Sequence, residues 1–466
     1  MPLILPGNVA SATASTTYTV ANSCRFNDDD GAYLNKTNGT PTDTKKCTLS
    51  MWFKRCELSD SNNFLFGNWT GTSDYAYVRL QADDTIKYTS IVSSSTDADL
   101  ITTQVFRDCS AWYHIVLALD TEQGTAANRA KLYINGTQVT SFSTEDYPAE
   151  DATTQFTENL SSGGFQIGSD KDTGSRYYDG YMAEVVVIDG TQYAASDFGE
   201  FDEDSPTIWK PKNVSGLTFG DNGAYLDFED SDNLGDDESG NTNDWTENNL
   251  AAADQATDTP TNNFATLNIL DTYYSADVYS EGNTKITTTT GGHAFHTATF
   301  GLSKSKWYWE VKVDNWEVGD QTSIGISADT ADGTDDELIN NTGTRIGYGY
   351  YGGGYAYGGG VDLIGGQTYS EGSGDHIIGV ALDLDNDKIH WSFDGTWQGS
   401  SAPATNTNGE AITDVSSGTV HGLYFPAISA KSVSTMEVNF GNPSFSITSG
   451  NADDNGYGNF EYDVPS

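Results

Sequence analysis

Hydrophobic alternation with a period of two constrains this chain more than any other feature. Cys47-Thr-Leu-Ser-Met-Trp-Phe-Lys54 alternates, with Cys47, Leu49, Met51 and Phe53 falling on one side. Lys306-Trp-Tyr-Trp-Glu-Val-Lys-Val313 does the same. Only a strand sends successive side chains to opposite faces, so both segments are expected in sheets. Trp112-Tyr-His-Ile-Val-Leu-Ala-Leu119 and Tyr181-Met-Ala-Glu-Val-Val-Val-Ile188 are longer and more apolar. Polar turns separate these runs. Asn135-Gly136, within Lys131-Leu-Tyr-Ile-Asn-Gly-Thr-Gln-Val139, supplies the positive φ of a type I′ hairpin turn. His376-Ile-Ile-Gly-Val-Ala-Leu-Asp383 and Lys388-Ile-His-Trp-Ser-Phe393 read as a second hairpin, followed by a turn at Asp394-Gly395. No convincing amphipathic helix interrupts the series. The expected fold is all-β: two antiparallel β-sandwich domains joined by a turn-rich connector.

The expected boundaries are an N-terminal extended arm at 1–20, a first sandwich at 21–212, a connector at 213–272 and a second sandwich at 273–466. Leu3, Ile4 and Leu5, between Pro2 and Pro6, would anchor the arm on another subunit. Met1-Pro-Leu-Ile-Leu-Pro-Gly7 lacks the positive n-region and long h-region of a signal peptide, so assembly in the cytoplasm is expected. Cys24, Cys47, Cys56 and Cys109 fit four reduced thiols in that setting, although an even count also permits two disulfides.

Charge narrows the range of partners. The chain has 22 Lys and Arg against 67 Asp and Glu, a formal net charge of −45. Such a chain is repelled by nucleic acid and by anionic membranes. No apolar run reaches the ~18 residues of a spanning helix, so no membrane insertion is expected. Disorder does not follow from the charge. Charged residues are only 19%, so the imbalance reflects scarce Lys and Arg, and aromatics reach 12%, enough for packed cores.

Five segments in order carry a resemblance over about residues 23–200. They are Ser50-Met-Trp-Phe-Lys54, Trp112-Tyr-His-Ile-Val116, Lys131-Leu-Tyr-Ile-Asn-Gly-Thr137, Phe165-Gln-Ile-Gly168 and Tyr178-Asp-Gly-Tyr-Met-Ala-Glu-Val185. Together they resemble the laminin-G/concanavalin-like family. The resemblance implies a two-sheet jelly roll, often glycan-binding and sometimes calcium-binding. Trp307-Tyr-Trp-Glu-Val311, Ile324-Gly-Ile326, Ile378-Gly-Val-Ala-Leu-Asp383, Ile389-His-Trp-Ser-Phe-Asp-Gly395 and Tyr424-Phe-Pro-Ala-Ile428 resemble a SPRY domain over roughly 273–445. That resemblance implies a bent sandwich that binds partners through loops and is not catalytic. Asp237-Glu-Ser-Gly-Asn-Thr-Asn-Asp-Trp-Thr246 and Asp258-Thr-Pro-Thr-Asn-Asn-Phe-Ala-Thr-Leu267 resemble a connector that recurs in bacteriophage structural proteins.

Glycan recognition needs aromatic faces for the sugar C–H surface and Asn or Asp for its hydroxyls. The candidates outside strand patterns are Asn68 with Trp69, Tyr177 with Tyr178, Trp316 and Trp397. Gly347-Tyr-Gly-Tyr-Tyr-Gly-Gly-Gly-Tyr-Ala-Tyr-Gly-Gly-Gly360 lacks the Gly-Lys-Ser/Thr of a phosphate loop. Its Tyr350, Tyr351, Tyr355 and Tyr357 either pack inward or form an exposed contact surface. Asp28, Asp29 and Asp30 offer the hard oxygens that calcium prefers; an acidic turn is the plainer reading. Asp383, Asp385 and Asp387 read as a hairpin turn, and His293 with His296 lie on opposite faces of any strand. Glycoside hydrolysis needs two carboxylates, and Glu184 stands alone in its strand pattern. No enzyme and no cofactor other than calcium is expected.

These readings converge on a non-enzymatic virion structural protein of a bacteriophage, a fibre or a capsid decoration. It would sit on the virion exterior, bind other virion proteins and host-surface glycans, and act as a homo-oligomer or in many copies. A virion-associated glycan depolymerase and a cell-surface adhesin are the alternatives.

Overall fold

Period-two alternation is realised as antiparallel strand pairing throughout. The computed structural model describes residues 18–69, 73–158, 164–170, 176–272, 277–288, 294–314, 322–329, 338, 346–358, 361–362, 370, 374–419, 421–430 and 433–466. Leu3, Ile4, Leu5, His293 and Trp316 lie outside the described residues. Two structural units divide between Asn263 and Phe264.

In the first unit one sheet runs Thr137–Gln138, Ala130–Ile134, Trp112–Asp120, Lys46–Arg55, Gly180–Asp189, Ser23–Phe26 and Gln255–Ala256, with Ala224–Leu226 also paired to Gly180–Asp189. The other runs Phe142–Asp146, Ser95–Val105, Thr85–Val92, Tyr75–Leu80, Phe64–Trp69, Phe165–Ile167, Tyr33–Lys36 and Thr246–Asn248. Cys47, Leu49, Met51 and Phe53 meet Phe66, Val78, Tyr88 and Leu100 in one buried core. Each fully buried Leu, Ile or Phe side chain contributes about 1.5–3 kcal/mol. Asn135 and Gly136 both have positive φ, 46° and 76°, as the hairpin turn requires.

The long apolar run of Trp112–Asp120 has a physical reason. Ile115, Leu117 and Leu119 face the inter-sheet core, while Val116 and Ala118 pack with Phe198, Val214 and Phe219 on the opposite face. Both faces are covered, so polar alternation is lost. His114 is buried there. Trp209 Nε1 donates to its Nδ1 at 3.0 Å, which leaves Nε2 to donate to Ser50 Oγ at 2.9 Å. Burial pushes its pKa down to about 3, so the ring is neutral.

Residues 213–263, expected within the connector, are part of the first sandwich. They supply Ala224–Leu226, Thr246–Asn248 and Gln255–Ala256 to its sheets. Asp258 is wholly buried, accepts from Lys54 Nζ at 2.7 Å and Trp112 Nε1 at 2.9 Å, and so closes the segment onto the sheet. The polar composition misled because its Asp and Asn side chains hold turns. Asp237 alone accepts from the amides of Tyr225, Ser239 and Asn243.

In the second unit one sheet runs Leu267–Thr272, Ala294–Ala298, Phe425–Ala430, Ser323–Ser327, Gly347–Tyr351, Tyr355–Gly358 and Val361–Asp362. The other runs Val278–Ser280, Lys285–Thr287, Thr435–Asn439, Lys306–Val313, His376–Asp383, Lys388–Phe393 and Thr396–Trp397, with Glu410–Ala411 paired to Lys388–Phe393. Trp309, Val311, Ile324, Val380, Trp391 and Tyr424 fill its core. The all-β class and the two sandwiches therefore hold. No helix among the described residues is long and apolar enough to cross a membrane.

Candidate functional site

The first unit carries a polar cleft of about 400 Å³ lined by Asp28, Asp29, Asp30, Gly31, Asp60, Asn62, Tyr177 and Asn249. Its floor is the turn that follows Ser23–Phe26. Asn27 organises that turn: its amide donates to Asp30 Oδ2 at 3.0 Å, and its side-chain oxygen accepts from the Asp29 amide at 3.3 Å. The Gly31 amide closes the turn on the Asp28 carbonyl at 3.0 Å. From the segment expected as connector, Asn249 Nδ2 donates to the Asp30 carbonyl at 2.8 Å.

Tyr177 supplies the aromatic wall. Its ring stacks on Tyr33 with centroids 6.0 Å apart and planes 28° apart. A methyl group on Gly31 would lie 3.2 Å from the ring, so the ring rests on the turn itself. Carboxylates crowd the same cleft. Burial, then Asp60 and Asp28, push the neighbouring Glu57 up to about 7. Burial and Asp29 also raise Asp28. The cleft therefore presents carboxylates that accept hydroxyl donors, with the Tyr177 ring in its wall. It brings together two groups of candidates that lie far apart in sequence, Asp28–Asp30 and Tyr177. Asp60, Asn62 and Asn249 were missed. The polar run Ser59-Asp-Ser-Asn-Asn63 signalled the first two, and nothing local signalled Asn249.

Among the described residues, no group of three or more His, Cys, Asp or Glu side chains is placed to hold a metal ion. Asp30 Oδ2 is already engaged by the Asn27 side-chain amide at 3.0 Å.

Several other candidates are structural. Asn68 is 1% exposed and donates to the Gln155 carbonyl at 2.7 Å. Trp69 is buried and stacks on Tyr75 at 3.8 Å, so its ring is occupied. Tyr178 is wholly buried with its hydroxyl on the Lys54 carbonyl at 2.8 Å. Tyr350 is wholly buried in the second core, one strand period from the buried Tyr348. Tyr351 and Tyr357 are half-buried and Tyr355 is 45% exposed, so the tyrosine-rich hairpin divides by strand parity. Trp397 is half-buried beside a groove of the second unit. His296 is buried between Tyr279 Oη at 2.8 Å and Asp277 Oδ2 at 3.1 Å. Asp383 folds back onto the Asp385 and Asn386 amides at 3.1 Å, a hairpin turn as expected.

Comparison with known proteins agrees with the two sandwiches. Residues 27–195 match the family model of the concanavalin A-like lectin/glucanases superfamily, and residues 306–443 match that of the SPRY domain. No curated protein matches the chain. Among solved structures, the SPRY domain of human HERC1 is similar at 15% identity and a TM-score of 0.28, over 37% of this chain and 96% of that one. A putative carbohydrate binding protein from Bacteroides ovatus is similar at 15% identity and a TM-score of 0.34, over 50% of this chain and 59% of that one. Domains LG4-5 of the mouse laminin alpha1 chain are similar at 10% identity and a TM-score of 0.30, over 94% of this chain and 93% of that one. The chain thus joins a region similar to the concanavalin A-like superfamily to a region similar to SPRY domains.

Proposed function

We propose that this protein is a non-enzymatic glycan-binding protein whose first unit takes a saccharide in the Tyr177 cleft. The observation that carries this reading is the Tyr177 ring, stacked on Tyr33 and flanked by Asp28, Asp30, Asn62 and Asn249. A pyranose needs one apolar platform and several fixed hydrogen-bonding groups around it, and this cleft supplies both. The match of residues 27–195 to a superfamily described as lectins and glucanases supports the same class of ligand. A binding role rather than a hydrolytic one suits Glu184, whose carboxyl is 5% exposed and covered by the Tyr18 and Tyr225 hydroxyls.

The setting we propose is the exterior of a bacteriophage virion, as a fibre or capsid decoration present in many copies. This part rests on the resemblance of 237–246 and 258–267 to a phage connector and on the apolar Leu3, Ile4 and Leu5, which would anchor the chain to other virion proteins. Many weak sites on one particle raise avidity without tight individual binding. A glycan array probed with the full chain tests the binding. Tyr177→Ala should abolish binding to the glycans the wild type retains, while the folded baseline by circular dichroism is unchanged. Unchanged binding by the variant would refute the cleft. Release of reducing sugar from a bound glycan would refute the non-enzymatic role. Absence of the chain from purified virions by mass spectrometry would refute the setting.

A further inference from the structure

The second unit carries a separate groove, and we infer that it binds an amine-bearing oligosaccharide, its ammonium group held by Glu461 and Asp463 beside the Trp397 ring. This deepens the glycan-binding reading but rests on a different unit and on different residues. Two adjoining compartments, of about 350 and 550 Å³, share Trp397, Asn451 and Asp463. Tyr308, Ser392, Glu461 and Tyr462 are among the other residues that line the smaller one.

The groove is built by one row of residues across a sheet. Asn439, Glu310, Gly379, Ser392 and Trp397 are successive cross-strand partners. Directly opposed residues share a face, so this row lies on the side away from the Trp309 and Val311 core. Glu310 is nonetheless wholly buried, because the segment after Asn451 covers it. Its carboxylate accepts from the Glu461 and Tyr462 amides, each at 2.9 Å, and from Tyr308 Oη at 2.9 Å. Glu310 is thus a positioning residue that fixes the far wall. Tyr462 lies against the Gly395 turn so closely that a Cβ on Gly395 would come within 2.4 Å of its ring.

Two observations point to a ligand. Ser392 Oγ, in a residue 1% exposed, and Ser401 Oγ in the adjoining compartment have no hydrogen-bond partner among the described residues. A buried hydroxyl left without a partner loses free energy that a ligand hydroxyl restores. Moreover, no Lys or Arg lines either compartment, while Glu461 and Asp463 do. The Thr448 hydroxyl and amide donate to Glu461 and hold its carboxyl below the usual range, so it is anionic. Anionic oxygens beside Trp397, Tyr308 and Tyr462 favour an ammonium ion through Coulomb attraction and cation–π contact. Two joined compartments suit a chain of sugars rather than one.

Calorimetric titration of the full chain with glucosamine tetramer, at mildly acidic pH where the amine is charged, tests this. N-acetylglucosamine tetramer and tetralysine are the comparators. The glucosamine tetramer should bind, and both comparators should bind at least about tenfold more weakly, the cost of losing a charged hydrogen bond or the ring contacts. Trp397→Ala and the exposed-site variant Asp463→Asn should each weaken binding about tenfold, with unaltered melting. Tyr177→Ala should leave it unchanged, which separates this groove from the first-unit cleft. No binding, equal affinity for the two sugar tetramers, equal affinity for tetralysine, or sensitivity to Tyr177→Ala alone would each overturn the inference.

Discussion

Raising the pH from 4.5 to 8 should remove about 3 kcal/mol of stability from the first unit through one side chain, Glu184. This residue lies in the strand Gly180–Asp189, where the register against Lys46–Arg55 shifts between Ala183 and Val186, and its φ is +50°. The bulge turns its carboxyl toward Tyr18 and Tyr225, whose hydroxyls each lie 2.9 Å from Oε2 and 2.9 Å from one another. Three mutually bonded oxygens need three protons. The hydroxyls supply two, so the ring closes only when Glu184 carries the third. Ionisation would open one edge and leave a charge in a site 5% exposed, facing Asp227 and Glu229. Burial, the larger cause, and those two carboxylates raise its pKa from 4.5 to about 7, against the pull of the two hydroxyls. The folded value exceeds the unfolded one. The contribution is therefore full below about pH 4.5 and lost as the pH rises through about 7. At about 1.4 kcal/mol per pH unit this amounts to about 3 kcal/mol. Other carboxyls titrate in the same window, Glu57 among them, so the comparison that isolates the effect is with Glu184→Gln. Gln presents a donor and an acceptor without ionising. Urea denaturation across this pH range, followed by tryptophan fluorescence, should show the wild type losing about 3 kcal/mol more than the variant. Parallel losses in the two proteins would refute the three-proton ring.

Three other outcomes follow from the geometry. Asp258→Ala should cost about 3–5 kcal/mol by stranding the buried Lys54 ammonium, and adding Lys54→Met should recover most of it in the same denaturation assay. Tyr350→Ala should lower stability by about 3–5 kcal/mol, whereas Tyr355→Ala should change it by less than about 0.5 kcal/mol. All four cysteines are buried free thiols, with Cys47 and Cys109 pushed up to about 12 by burial. A chromogenic disulfide reagent should therefore titrate none in the native protein and four after denaturation.

Strand content was legible because alternation and turn chemistry are local. Cys47-Thr-Leu-Ser-Met-Trp-Phe-Lys54 and Asn135-Gly136 each carry their own signal, and both form the elements expected of them. The candidate sites were only half legible. Tyr177 and Tyr178 are neighbours in one strand-like run, and parity alone decides that one lines the cleft while the other joins the core. Asn249 was invisible because its importance lies in reaching Asp30, 219 residues away. Asp258 read as linker for the same reason: its ion pair with Lys54 spans 204 residues.

Composition and periodicity by themselves determined an all-β chain of two sandwiches. They also determined the net charge of −45, since scarce Lys and Arg set it whatever the fold. Tertiary structure alone decided which polar groups are surface and which are framework. Glu310, Asp258 and Glu184 look like exposed strand or loop carboxylates in the sequence. All three are buried because distant segments close over them: the C-terminal stretch over Glu310, the sheet over Asp258, and Tyr18 with Tyr225 over Glu184. A carboxylate's charge state and role depend on what covers it. That cover comes from chain remote in sequence, which no local pattern encodes.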